Sequence, residues 1–307
     1  MKDKTDVIIA YSNGTADMLD ICLSNLFKYT DEEEIEVVIV HDEREDFDAL
    51  VDDYSVSVKS YPVSERGLSG AKAHGTLIDA AVADTSNAYI LTLDSDCFPI
   101  ATGWLDCLHS FICESMGDTP VSGICHPWAP PPEELKKSHI EWRIRSGHCW
   151  LNTHVACQLV LRSFLEDNGL KYCAGDDTGL EIPMKAREMG FDVGIMLPTN
   201  CVLPNGEYVK RFNPELNRHV GIIWGDYIYH HGGVTRKVND CTVDMETVFS
   251  NALEQVVKRR GAAWLHDEKE SSHWYTFENE EAVADYKMEL MKPQIINYLT
   301  NNQSLFK

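Results

Sequence analysis

The chain has 307 residues, of which 44% are hydrophobic and 25% are charged, values close to the average for globular proteins. This composition excludes a disordered, collagen-like or coiled-coil chain, and the length allows one large domain or two modest ones. The 27 basic and 49 acidic residues give a formal net charge of −22, which repels a nucleic-acid backbone or an anionic membrane surface. We therefore expect no nucleic-acid partner, and an anionic substrate would need a bound cation or a local basic pocket.

Cysteine usage and hydropathy indicate the compartment. No apolar run approaches the roughly 20 residues of a membrane span, and the first apolar stretch, VIIAY, is too short for a signal peptide. The ten cysteines are scattered without a CxxC pair, which predicts reduced thiols rather than disulfides or a zinc site. We therefore expect a cytoplasmic protein with no stable membrane insertion.

Short apolar runs alternate with helical segments in the first half of the chain. This order predicts right-handed βαβ units, and hence an α/β fold with a largely parallel sheet. Polar residues that follow the first, second and fourth strands should then meet at one edge of the sheet. The predicted strands are Asp6–Tyr11, Ile35–Val40, Tyr54–Tyr61 and Tyr89–Leu93. One predicted helix follows the first strand and ends at about Tyr29, and a second covers Gly70–Ala83.

The second half of the chain has a less regular pattern. The expected strands are Val121–Cys125, a segment ending at Leu197, and Ile222–His231. The expected helices are Gly103–Ser115, about Asn152–Asp167, one capped by Thr178 and stopped by Gly190, Met245–Arg260 and Glu280–Tyr298. The segments His126–Pro132 and Leu203–Val220 are expected to be loops.

Asp94 and Asp96 stand where the fourth strand ends. The two-residue period of a strand places both carboxylates on one side, about 7 Å apart. Oxygen ligands at this spacing suit a divalent cation such as Mg²⁺ or Mn²⁺, which commonly bridges substrate phosphates. For an isolated Asp-x-Asp, a solvated turn at a strand end is the alternative.

Two further clusters carry side chains with possible chemistry. Asp176 and Asp177 precede a predicted helix, where acidic residues are favoured in any case by the helix dipole. His230 and His231 are followed by two glycines, which let the backbone approach a ligand closely. Taken alone, a histidine pair at a strand end is also compatible with a structural polar group.

Five stretches in this order resemble the nucleotide-sugar glycosyltransferases of the GT-A fold, and among them the mostly inverting family 2. They extend from about Asp6 to Arg236, roughly three quarters of the chain. The matching stretches are DVIIAYSNGTADMLDICLSNL, EVVIVHDE, GLSGAKAHGTLIDAAVADTSNAYILTLDSDCFPIATGWLD, GDDTGLEIPMKAREMGFDVG and YHHGGVTR.

The resemblance implies a Rossmann-like GT-A domain over residues 1–237, with a mostly parallel sheet flanked by helices. Its nucleotide-sugar-binding half would cover about residues 1–125 and its acceptor-binding half about 126–237. Residues 238–307 would form a helical C-terminal extension. The implied activity is transfer of a hexose-type sugar from a nucleotide-diphosphate donor to a glycan or another acceptor hydroxyl, with Mn²⁺ or Mg²⁺ as cofactor.

The resemblance also assigns roles to individual positions. Asp177 would be the catalytic base, and Asp96 would bind the metal directly, with His230 as a further protein ligand. Asp94 would contact ribose or a metal-bound water. The remaining donor-binding positions implied are Tyr11, Asn13 and Asp42 for the nucleoside, Lys72 near the diphosphate, and Asp176 beside the base.

The chemistry of sugar transfer needs these residue types. An acceptor hydroxyl is a weak nucleophile, so a carboxylate must take its proton during the attack. One base without a protein nucleophile predicts inversion at the anomeric carbon. Two alternatives stay open on the sequence: a Mg²⁺-dependent phosphatase of the haloacid dehalogenase type, which also has a strand ending in Asp-x-Asp, and an inactive protein that binds sugar nucleotides or glycans.

Overall fold

The computed structural model describes only part of the chain. No helix in the ranges given below is long and apolar enough to cross a membrane. The expected helices Met245–Arg260 and Glu280–Tyr298 and the loop His126–Pro132 lie outside these ranges, so the domain boundary at residue 237 stays a prediction. The described residues are 3–11, 16–42, 51–52, 54–114, 119–125, 153–175, 177–191, 193–196, 198–202, 208–210, 221–230 and 274–275.

Strands and helices alternate over the first half of the described residues, as the sequence predicts. The strands are β1 (Thr5–Ala10), β2 (Ile35–His41), β3 (Val56–Ser60), β4 (Tyr89–Asp94), β5 (Cys97–Pro99), β6 (Val121–Cys125), β7 (Thr153–Leu161), β8 (Val193–Met196), β9 (Pro198–Val202), β10 (Tyr208–Lys210), β11 (Gly221–Trp224), β12 (Ile228–His230) and β13 (Trp274–Tyr275). The helices are α1 (Ala16–Tyr29), α2 (Gly70–Ala83), α3 (Trp104–Glu114), α4 (Arg162–Asn168) and α5 (Glu181–Glu188), with a short 3-10 turn at Ser64–Arg66.

Eight strands form the larger sheet in the order β13-β8-β6-β7-β4-β1-β2-β3. The four neighbouring strands β4, β1, β2 and β3 are parallel to one another. β6 and β8 are also parallel to each other, whereas β7 and β13 pair antiparallel with their neighbours. This arrangement confirms the predicted α/β class with a mostly parallel sheet. The parallel half places the carboxyl ends of β1, β2 and β4 at the same edge.

One face of α1 is buried in the hydrophobic core. Leu19, Leu23 and Leu26 recur at the spacing of one helix face and are fully buried. Each such leucine stabilises the fold by about 1.5–3 kcal/mol relative to an exposed side chain. The apolar stripe of α1 therefore anchors the helix in the core, where it contacts β5.

The prediction of a helix over Asn152–Asp167 is wrong. Residues Thr153–Leu161 form the strand β7, and helix begins only at Arg162. β7 lies between β4 and β6 and is buried on both faces, so its apolar residues do not alternate with polar ones. A continuous apolar run of this length cannot be distinguished from a buried helix by its periodicity.

A second sheet of five antiparallel strands, in the order β10-β9-β11-β12-β5, was not predicted. The expected single strand Ile222–His231 is the hairpin of β11 and β12. Its turn contains Gly225 and Asp226, both with positive φ angles of 54° and 62°. Such angles suit Gly and Asp and reverse the chain within three residues.

Two smaller expectations are also corrected. Thr178 does not cap the following helix, because α5 begins at Glu181 and the Thr178 hydroxyl donates to the carbonyl of Ala71 instead. The expected loop Leu203–Val220 contains the strand β10. The expectation of reduced cysteines is confirmed for the five described free thiols, which are Cys22, Cys97, Cys107, Cys157 and Cys173.

Candidate active site

The carboxyl ends of three neighbouring strands meet at one edge of the larger sheet. Ala10 of β1 pairs with Val40 of β2 on one side and with Asp94 of β4 on the other. Tyr11, the residue after β1, donates its backbone N–H to the carbonyl of Val40 at 2.8 Å. The predicted meeting of polar residues at this edge is therefore confirmed for Tyr11, Asp42 and Asp94.

The second sheet brings a distant histidine to the same place. Asp94 is the last residue of β4, and Asp96 lies in the two-residue turn between β4 and β5. β5 pairs with β12 so that Cys97 stands opposite His230. Nε2 of His230 lies 3.6 Å from Oδ1 of Asp96. Strand pairing thus joins residues that are far apart in the sequence.

Asp94, Asp96 and His230 form a group that could hold a metal ion, which we call the acidic triad. One ligand atom from each lies within 4.8 Å of the other two. The side chains of Asp96 and His230 are 9% and 4% exposed, whereas that of Asp94 is 25% exposed. The two expected metal ligands are therefore brought together, and Asp94 is placed where it could act as a third.

The protonation of His230 suits metal binding. Burial and the neighbouring imidazole of His154 lower its pKa to about 3, against the opposing effect of Asp94. The ring is consequently neutral at physiological pH, and the neutral imidazole is the form that binds metals. A neutral ring does not compensate the charge of a buried carboxylate, whereas a divalent cation would. Two carboxylates with one imidazole are also a donor set that Mn²⁺ accepts.

His74 is a site residue that the sequence analysis missed. It lies on α2 with Nε2 3.4 Å from Oδ1 of Asp94. Burial disfavours its charged form, but the hydrogen bond to Asp94 and the charges of Asp94 and Asp177 raise its pKa above the ordinary value. The same partnership, with the burial effect again opposing, lowers the pKa of Asp94. The motif GAKAHG contains both Lys72 and His74, and only Lys72 was assigned a role, because of its positive charge.

His154 is the second residue that was missed. It stands at the beginning of β7, and its ring centroid is 5.4 Å from that of His230. Nδ1 of His154 accepts the backbone N–H of Ala156 at 3.2 Å. No signal in the sequence could have identified it, because the segment was expected to be helical and its pairing with β4 is a tertiary feature.

Asp177, the expected catalytic base, lies in the loop between α4 and α5. Its Oδ1 accepts the backbone N–H of Thr178 at 3.0 Å, and the hydroxyl of Thr178 donates to the carbonyl of Ala71 at 3.0 Å. The charge of Asp177 also contributes to raising the pKa of His74. Asp176 lies outside the described residues.

The remaining described donor-binding candidates, Asp42 and Lys72, differ in their solvent exposure. Both carboxylate oxygens of Asp42 accept the backbone N–H of Ser64, at 2.9 and 3.1 Å. Lys72 is exposed on the first turn of α2. Two helix positions, about 200° around the axis, separate it from His74, so the two side chains start from different faces of the helix. Asn13 lies outside the described residues.

A buried thiol contacts the backbone on both sides of the turn between β4 and β5. Sγ of Cys22 donates to the carbonyl of Cys97 at 3.4 Å and lies 4.0 Å from the carbonyl of Asp94. Burial raises the pKa of the Cys22 thiol, an effect that the charges of the two aspartates reinforce. The thiol therefore stays protonated and acts as a weak donor to the backbone at the end of β4 and the start of β5.

Residues 6–122 match the sequence model of Glycosyl transferase family 2. The matched segment includes Asp94 and Asp96, so the resemblance stated from the motifs is confirmed over these residues. Together with the mostly parallel sheet flanked by helices, the match agrees with the GT-A fold that the resemblance implies. No curated protein matches the chain.

Solved structures similar to this chain include two complexes with nucleotide sugars. Mannosyltransferase PcManGT from Pyrobaculum calidifontis, in complex with GDP-Man and Mn²⁺, has a TM-score of 0.46 and 15% identity, covering 62% of this chain and 54% of that one. S. aureus TarS 1-349, in complex with UDP-GlcNAc, has a TM-score of 0.38 and 18% identity, covering 60% and 53%. The chain thus spans about half the length of these two structures.

Proposed function

We propose that this protein is a metal-dependent glycosyltransferase, which moves a sugar from a nucleotide-diphosphate sugar to an acceptor hydroxyl with inversion at the anomeric carbon. The observation that carries the proposal is the acidic triad. Two of its three residues, Asp94 and Asp96, lie within the segment that matches Glycosyl transferase family 2, at the carboxyl end of β4. The donor would carry a hexose-type sugar, and the acceptor would be a glycan or another hydroxyl compound.

The residues of the acidic triad fit a divalent cation. Asp96 and His230 would hold Mn²⁺ or Mg²⁺, and Asp94 would either complete the ligand set or contact ribose or a metal-bound water. When bound, the cation would supply positive charge that stabilises the departing nucleotide diphosphate. A chain of net charge −22 offers little other compensation for a diphosphate.

Asp177 is the proposed base. Its carboxylate would accept the proton of the acceptor hydroxyl while the oxygen attacks the anomeric carbon, so that the oxygen–carbon bond forms as the bond to the diphosphate breaks. The backbone N–H of Thr178 donates to Oδ1 of Asp177 and so helps to orient the carboxylate. A single base and no covalent intermediate account for inversion.

The other residues would bind the donor. Tyr11, Asn13 and Asp42 follow the ends of β1 and β2 and would contact the nucleoside. Lys72 would approach the diphosphate from the start of α2, where its ammonium group is exposed. Asp176 would position the neighbouring base.

The two alternatives receive less support. The family match over residues 6–122 includes the Asp-x-Asp strand, which disfavours a haloacid-dehalogenase-type phosphatase. A phosphatase would also have no need for His230 beside Asp96, where the strand pairing brings it. An inactive sugar-nucleotide-binding protein is distinguished from an enzyme by turnover.

The test uses the full-length protein with a panel of UDP- and GDP-sugars, in Mn²⁺, in Mg²⁺ or in excess chelator. We expect cation-dependent release of the nucleotide diphosphate from at least one donor, as water or an added acceptor hydroxyl takes the sugar. We also expect a thermal shift with the same nucleotide, and inversion at the anomeric carbon of the sugar product by NMR. The matched control is Asp96→Asn, which should lose all three responses. Cation-dependent hydrolysis of p-nitrophenyl phosphate without any nucleotide response would contradict the proposal in favour of a phosphatase.

A further inference from the structure

We propose that His74 is a positioning residue that holds the carboxylate of Asp94 in the cation site. It would also join this site to the loop of the proposed base, which is the loop between α4 and α5 that contains Asp177. The inference rests on the proposed function, because it concerns the same site. His74 would touch neither the reacting atoms nor the cation, and it would act through Asp94.

The first observation is the pairing of the two side chains. Nε2 of His74 faces Oδ1 of Asp94 at 3.4 Å, and both side chains are partly exposed, at 29% and 25%. Of the acidic triad, Asp94 is the most exposed member. An exposed carboxylate keeps its rotational freedom unless a partner restricts it. His74 supplies such a partner from a rigid helix.

The second observation is that α2 is fastened to the loop of the proposed base. A Cβ atom at Gly75 would lie 2.5 Å from Cα of Cys173, so the helix and the backbone of this loop are in direct contact. The carboxylate of Asp79 accepts the backbone N–H groups of Tyr172 and Cys173 at 2.7 and 3.1 Å. The hydroxyl of Thr178 donates to the carbonyl of α2 residue Ala71.

One helix therefore contacts both halves of the proposed chemistry. Through His74 it meets Asp94, and through its contacts at Gly75 and Asp79 it carries the loop that contains Asp177. The spacing between the cation and the base would then depend on α2. Outer partners that hydrogen-bond a ligating carboxylate fix its orientation, and their loss typically lowers metal affinity by about 10–100-fold.

The partial exposure of His74 separates this role from a merely structural one. The side chain of His74 is 29% exposed, and leucine in its place would fill most of the same volume, so the stability of the fold should change little. The orientation of Asp94 should change more, because the imidazole that faces its carboxylate is lost. Metal affinity and folding stability should therefore respond differently to substitution.

The test measures Mn²⁺ binding to the full-length protein by calorimetry and by electron paramagnetic resonance, without donor or acceptor. His74→Leu removes the ring nitrogen and should raise the Kd for Mn²⁺ about 10–100-fold. His74→Gln retains an N–H donor at a similar reach and should keep the Kd within about threefold of the parent value. Melting temperatures in chelator should agree within about 4 °C, since little buried area changes.

The matched control is His109→Gln, at the opposite edge of the sheet. His109 contacts Thr5 and Tyr89, both at the amino ends of their strands, and its loss should leave the Kd for Mn²⁺ unchanged. In a transfer assay, His74→Leu should raise the Mn²⁺ concentration needed for half-maximal rate, with kcat largely restored at saturating Mn²⁺. If His74→Leu does not fold, His74→Ala takes its place.

The outcomes distinguish the inference from the function on which it rests. A parent protein that binds Mn²⁺ and a His74→Leu variant of equal or tighter affinity would overturn the positioning role alone. Equal weakening in the Leu and Gln variants would overturn the hydrogen bond as its cause. A parent protein that binds no divalent cation would overturn both the inference and the proposed function.

Discussion

Gly75 and Cys173 approach so closely that a methyl group at Gly75 would lie 2.5 Å from Cα of Cys173. Gly75→Ala should therefore destabilise the protein by about 1–3 kcal/mol through overpacking. At an exposed helix position the same change would stabilise by about 0.5–1 kcal/mol, since alanine favours helix. The sign of the change in the unfolding free energy, measured in denaturant, decides whether the contact dominates.

The acidic triad should confer dependence on a divalent cation. Calorimetry with UDP or GDP should show binding in Mn²⁺ and little in excess chelator, with Mn²⁺ at least as effective as Mg²⁺ because one ligand is an imidazole. His230→Gln should reduce the Mn²⁺ effect more than the Mg²⁺ effect. Equal nucleotide affinity with and without cation would contradict the proposed role of the acidic triad.

Substitution of the proposed base should separate turnover from binding. Asp177→Asn keeps the shape but removes most of the basicity, so kcat should fall by about 10²–10⁴ while donor affinity changes only a few fold. Asp176→Asn should have a milder effect, because its proposed role is positioning. Loss of turnover in the Asp176 variant alone would show that the base is the preceding residue.

A buried ion pair at the amino edge of the sheet should be important for stability. Asp6 is fully buried, and one of its carboxylate oxygens accepts a hydrogen bond from Arg162 at 2.8 Å. Arg162→Ala would leave the carboxylate without its charge partner and should cost about 3–5 kcal/mol. Lys185→Ala, which removes the exposed pair with Glu188, is the control and should cost less than about 1 kcal/mol.

A surface cluster should show a measurable pH dependence. The hydroxyl of Tyr61 donates to Asp84, and this bond together with Lys59 lowers the pKa of the Asp84 carboxyl below its ordinary value of 3.8. The associated stability is present above the unfolded pKa and is lost as the pH falls through the folded one. Carboxyl NMR should show this low pKa, and Tyr61→Phe should raise it. An unchanged Asp84 titration in that variant would refute the assignment.

Local patterns predicted the parallel half of the fold with few errors. The strands β1, β2 and β4 and the helix α2 all appear where apolar composition and turn residues place them. Such signals lie within a few residues of each other in the sequence. The carboxyl ends of neighbouring parallel strands then lie at the same edge of the sheet. The positions of Asp94 and Asp42 at that edge therefore followed from the sequence.

The same local patterns did not predict the pairing of strands that are distant in the sequence. β7 was mistaken for a helix, because a strand buried between two neighbours loses the alternation that identifies it. The second sheet was missed, because strands of three residues, such as β5 and β12, are too short to show a recognisable alternation of apolar and polar residues.

The sequence by itself determined the α/β class, the edge where the chemistry would lie, and, through resemblance, the candidates Asp94, Asp96, Asp177 and His230. Only the tertiary structure decided that His230 reaches Asp96, that His74 pairs with Asp94, and that His154 lies beside His230. The physical reason is that these contacts depend on strand register and helix packing across long separations in the chain. Each such contact is set by the whole core rather than by the residues adjacent to it in sequence.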